Sequence, residues 1–182
     1  MNLSGVVTLP GAPAQVWALL TDPQRLARLL PGCERLDPDG PDRYKAVVKF
    51  GVAAISGKYA GSLEFLQLNP PHSLTLQFDG RGLPGFVHGQ AHIELLRKGS
   101  GTELCYSGQA QIGGIIATVG QRLLEAAARK IVQQFFDDAA AELKSAPPVN
   151  PRVKPPVEPS VEPVSQTVRA SRPARASHRR RI

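Results

Sequence analysis

Aromatic residues are scarce in this chain, at 5% of 182 positions, and none follows Phe136. Glycine stops early as well: all 17 lie at or before Gly120. Residues 145–182 nevertheless hold 8 of the 17 prolines, with 8 basic and 2 acidic side chains. A segment so poor in apolar side chains cannot bury a core of its own. Residues 1–144 carry 14 basic and 13 acidic side chains, so the overall charge of +7 belongs almost wholly to the tail. The expected organisation is one domain over 1–144 and a disordered Pro/Arg-rich basic tail over 145–182.

Other absences exclude function classes. No run approaches the ~18 consecutive apolar residues of a membrane-spanning helix. The N-terminal stretch Met-Asn-Leu-Ser-Gly-Val-Val-Thr has no basic segment and no long apolar core, so no signal peptide is read and the cytoplasm is the expected compartment. Cys33 and Cys105 are the only cysteines, and in a reducing compartment they are expected as free thiols. Neither has a Cys-x-x-Cys partner, and nucleophile-elbow and zinc-protease motifs are missing. The Gly51-to-Lys58 stretch is not a phosphate loop, because its spacing is one too long and Tyr59 stands where a hydroxyl would hold magnesium. His88 and His92 sit four apart on a strand, about 13 Å along the chain. Two imidazoles cannot meet one metal at ~2.1 Å from there. No metal and no cofactor are expected. Nucleic acid is not the expected partner either, since the tail has no aromatic side chain to stack on bases.

What is present is strong alternation. Residues 2–9 read as a strand, followed by the breaker Pro10-Gly11-Ala12-Pro13 and a short helix holding Val16, Trp17, Leu19 and Leu20. Asp22-Pro23 restarts a second short helix, Asp as N-cap and Pro at the first helical position. From Cys33 to Ile112 apolar and polar residues alternate in about six strands, each with one apolar face. Residues 115–144 carry an apolar stripe at steps of three and four: Ile116, Val119, Leu123, Ala127, Ile131 and Phe135.

One apolar sheet face and one apolar helix stripe satisfy each other if a curved antiparallel sheet wraps around the long C-terminal helix. A curved sheet cannot touch a straight rod everywhere, so a cavity between them is expected. By shared phase, Phe50, Tyr59, Leu63, Leu76, Phe78, Phe86 and Tyr106 should line it, closed by Leu123, Ala127 and Ile131. The inward glycines and alanines either leave room or mark bends. Phe86, in an apolar loop with Leu83, Pro84 and Gly85, reads equally as a gate or docking edge and as a hairpin plugging the core. Trp17 reads first as packing for the first short helix.

Leu30-Pro31-Gly32-Cys33-Glu34, Gly57-Lys58-Tyr59-Ala60-Gly61, Asn69-Pro70-Pro71 and Gly80 to Phe86 follow one another along the chain. Gly101 to Tyr106, Gly113-Gly114 and Gln134-Phe135-Phe136 complete the set. In this order these segments resemble the carbon monoxide dehydrogenase G-subunit family, within the START-like (SRPBCC, polyketide-cyclase type) helix-grip superfamily. The resemblance implies an α+β helix-grip fold with two short helices after strand 1. It implies a non-enzymatic accessory protein that accompanies a molybdenum hydroxylase of carbon monoxide dehydrogenase type at the inner face of the cytoplasmic membrane, peripherally bound. A lipophilic ligand such as a respiratory quinone would occupy the cavity. The competing reading is a small cyclase or hydrolase acting on an apolar substrate in the same cavity. In the tail, Arg169, Arg172, Arg175, Arg179, Arg180 and Arg181 are the expected contacts to an anionic membrane or to a partner protein.

Overall fold

The structure is a computed structural model, and it describes residues 1–51 and 56–145. Strand β1 spans Asn2–Pro10 and helices α1 and α2 span Pro13–Thr21 and Pro23–Leu29. Six strands follow: β2 (Cys33–Pro38), β3 (Arg43–Phe50), β4 (Gly57–Asn69), β5 (Ser73–Gly82), β6 (Gly85–Lys98) and β7 (Gly101–Gly113). A 3-10 turn at Ile115–Val119 leads into helix α3, Gln121–Ser145. The disordered tail expected over 145–182 lies, except for Ser145, outside the described residues, as do Arg169, Arg172, Arg175, Arg179, Arg180 and Arg181.

Local chemistry explains the boundaries. Asp22 caps α2, its carboxylate accepting from the backbone N–H of Gln24 at 2.9 Å and of Arg25 at 3.3 Å, with Pro23 in the first turn. At α1 the Gln15 side chain reaches back to accept the Ala12 N–H at 2.8 Å. The strands form one antiparallel sheet in the order β1-β7-β6-β5-β4-β3-β2, with every neighbour pair but β1–β7 consecutive in the chain. The helix-grip fold is therefore present as expected, with one correction. The single helix expected over 115–144 is broken at Gly120, whose φ of 89° lies in the left-handed region that favours glycine. α3 starts afresh at Gln121, and its buried face is Leu124, Ala127, Phe136, Ala139 and Leu143. Leu123, one residue earlier, is 58% exposed.

The sheet's inner side is unevenly filled. Helices α1 and α2 and the C-terminal half of α3 pack over one end, where Leu9, Leu19, Leu74, Leu95 and Leu104 are fully or almost fully buried with Phe136, Ala139 and Leu143. Arg25 Nε donates to Glu142 Oε1 at 2.7 Å and ties α2 to α3 at that end. Trp17 packs against this core. Neither α1 nor α2 covers the other end, where the N-terminal half of α3 and the 3-10 turn lie over the sheet.

Candidate ligand cavity

A cavity of about 280 Å³ lies at the end that α1 and α2 leave uncovered, with an almost wholly apolar wall. Phe50, Tyr59, Phe78, Val87, Ala110 and Ile112 face it from the sheet, with Met1 and Leu3 from the β1 edge. Leu124, Ala128, Ile131 and Val132 close it from α3, and Ile116 from the 3-10 turn. Its volume sits just below the ~300–1,000 Å³ usual for small-molecule sites. Tyr59 is a wall residue with a polar side chain; Gln109 is out of phase with the inward Ala110 and Ile112, so its side chain belongs to the outer face.

Four of the ten residues picked from the sequence come together here: Phe50, Tyr59, Phe78 and Ile131. The other six stand elsewhere. Leu63 belongs to the core, and Leu76 and Tyr106 pack against it. Tyr106 stacks on Phe136 with ring centroids 5.4 Å apart. Ala127 is buried at 4% exposure, and the cavity position on α3 is its neighbour Ala128. Leu123 projects outward, displaced by the fresh helical phase after Gly120. Phe86 is 43% exposed and shares the outer face with His88; Val87 takes the inward position. Its ring covers its cross-strand partner Gly113, where an added Cβ would lie 2.3 Å from ring atoms.

The wall residues not singled out fall into two kinds. Val87, Ala110 and Ile112 were legible as inward positions of strands. Leu124, Ala128 and Val132 required the helix phase, and its only signal is the glycine at 120.

Aromatic-over-glycine packing recurs on the inner face. Phe78 covers Gly89 and Tyr106 covers Gly5, each ring lying over its direct cross-strand partner. At Gly61 the neighbouring strand itself comes close: a Cβ would lie 1.8 Å from the Asp79 carbonyl oxygen. The inward small residues thus serve two purposes. Gly108 and Ala110 leave room at the cavity, and Gly61 allows close backbone approach within the sheet.

Tyr59 is 5% exposed and its ring tilts against Phe50 at 5.9 Å. Burial pushes its hydroxyl above the ordinary tyrosine value, so it is neutral at physiological pH. Burial likewise raises the Cys33 thiol and thereby blunts its nucleophilicity; the thiol donates to the Arg35 carbonyl oxygen at 3.4 Å. His88 and His92 lie on the outer sheet face, bonded to Asp79 at 2.7 Å and to Thr75 at 2.9 Å. Among the described residues no three metal-ligating side chains gather. No helix among them is long and apolar enough to cross a membrane.

The sequence profile of the carbon monoxide dehydrogenase G subunit (CoxG) matches residues 5–144. The chain belongs to the CoxG family. The match runs from within β1 to near the end of α3 and takes in the cavity wall except Met1 and Leu3. Among solved structures, a conserved protein from Geobacillus kaustophilus is 35% identical over 80% of this chain and 96% of its own, with a TM-score of 0.78. A protein from Rhizobium leguminosarum superposes with a TM-score of 0.63 at 12% identity, over 80% of this chain and 95% of its own. The Zhui aromatase/cyclase from Streptomyces sp. R1128 superposes with a TM-score of 0.61 at 13% identity, over 79% and 93%. These last two share the fold. No curated protein sequence matches the chain significantly.

Proposed function

We propose that this CoxG-family protein is a non-enzymatic accessory protein that holds a lipophilic ligand between sheet and helix. The carrying observation is the apolar cavity at the one end that α1 and α2 leave uncovered. The almost wholly apolar wall suits a molecule with an apolar body. A quinone has that chemistry. The volume accommodates a ring and a short stretch of chain, so a long isoprenoid tail would extend out of the cavity.

The family's name points to a molybdenum hydroxylase of carbon monoxide dehydrogenase type as the protein partner. In this reading the protein links that enzyme to the cytoplasmic membrane, binding peripherally at its inner face. The basic tail adds electrostatic attraction to anionic lipid. The second reading, an apolar-substrate cyclase or hydrolase, draws on the fold shared with an aromatase/cyclase. The composition of the wall favours binding, since it has no carboxylate or imidazole among the described residues to move a proton.

The test is displacement of a neutral fluorophore, N-phenyl-1-naphthylamine, from the full-length protein by a short-chain naphthoquinone. Saturable uptake and competitive release are expected. Uptake without release would remove the quinone assignment, and no uptake would remove the cavity reading.

A further inference from the structure

We propose that the apolar tip formed by the β5–β6 turn and the 3-10 turn seats the protein on an anionic lipid bilayer. The inference rests on the reading of the cavity as a site for a lipophile, and it identifies the surface by which that site reaches the membrane.

Leu83 is 99% exposed, Ile115 72% and Phe86 43%. Two-residue hairpin turns favour Asn, Asp and Gly. Here Leu83-Pro84 occupies the turn between the paired Gly82 and Gly85, so a large apolar side chain stands at its apex. The tip is braced. The Ile116 N–H donates to the Pro84 carbonyl oxygen at 2.9 Å. Gly114 backs onto Gly85 so closely that a Cβ at Gly114 would lie 2.6 Å from the Gly85 Cα. Leu83 and Ile115 therefore project from two segments that are locked together.

The same two segments form cavity wall on their other side. Val87 and Ile116 line the cavity while Phe86 and Ile115, each one residue earlier, are exposed. Arg81 is the cross-strand partner of Phe86 and stands two residues before Leu83. It is exposed and has no salt-bridge partner among the described residues. An apolar apex beside such a cation suits the interface of an anionic leaflet, with apolar side chains in the acyl boundary and the guanidinium among phosphates.

The test uses full-length L83D/I115D and the unsubstituted chain on vesicles of phosphatidylcholine and phosphatidylglycerol. At ~1 M salt, where the Debye length is ~3 Å, long-range attraction is screened and apolar seating remains. The unsubstituted chain should stay bound there, and the variant should lose about tenfold or more of that salt-resistant binding. Its melting temperature and its uptake of N-phenyl-1-naphthylamine in vesicle-free solution should be unchanged. Should the double variant fail to fold, Leu83→Ser, in a fully exposed turn, repeats the comparison. Equal salt-resistant binding by variant and unsubstituted chain overturns the proposal. So does absence of salt-resistant binding by the unsubstituted chain, which would give the tip to a protein partner. The fluorophore arm fails only if the cavity reading is wrong, so the two failures are distinguishable.

Discussion

The ring of Phe78 lies directly over Gly89, its partner on the adjacent strand, so that a Cβ at position 89 would stand 2.4 Å from Cζ. Phe78 is also cavity wall. Gly89 therefore sets how far the ring sinks toward the sheet, and through it the depth of the cavity. The Gln109 carbonyl oxygen, 2.7 Å from the same point, leaves the backbone little freedom to give way. Gly89→Ala should push the ring into the cavity. The expected cost is about 1–3 kcal/mol of stability, as for other overpacked sites. Fluorophore affinity should fall with it, read by thermal melts and titration. Unchanged affinity would show that Phe78 does not limit the volume.

Neighbouring alanines on α3 should respond differently to the same substitution. Ala128 lines the cavity, so Ala128→Trp should fill it, abolish fluorophore uptake and leave the melting temperature nearly unchanged. Ala127, at 4% exposure, has no such space, and Ala127→Trp should cost about 1–3 kcal/mol or more. Equal melting temperatures for the two variants would contradict the placement of the cavity.

The contrast between these alanines shows where sequence reading stopped. Strand alternation made the seven-stranded sheet legible, and Asp22-Pro23 marked α2 by capping chemistry. The helix face was misjudged by one residue, Leu123 for Leu124, because a periodic stripe ran through Gly120 without showing the break. Phe86 was misplaced despite a readable pattern: alternation with His88 already put it outside. Leu63, Leu76 and Tyr106 point inward as expected, yet they lie in or against the filled core and not at the cavity. Which end of a grip is filled depends on where short helices dock across the sheet, and no local pattern records that.

Tyr59 gives the cavity a pH signature. In the unfolded chain tyrosine ionises near ~10. In the folded protein burial holds Tyr59 above that value. The unfolded chain therefore loses its proton first. Stability fully present below pH ~10 declines as pH rises through the folded value. Tyr59→Phe should flatten that alkaline decline in denaturant titrations, and an unaltered profile would assign the decline to other groups.

Removal of the basic tail should separate the two modes of membrane attachment. A chain ending at Lys144 should keep fluorophore uptake. It should bind anionic vesicles less well than the full chain at ~0.1 M salt, with the difference vanishing at ~1 M. Equal binding at low salt would direct the arginines to an acidic surface on the partner enzyme instead.

The central claim is that the cavity holds a lipophile, and native mass spectrometry of the full chain purified from its own host tests it most directly. The account predicts a one-to-one adduct whose mass, after organic extraction, belongs to an apolar molecule bearing one or two oxygens. Ala128→Trp should lose that adduct. A protein that carries no adduct from its host, or an Ala128→Trp variant that carries the same one, would contradict the account.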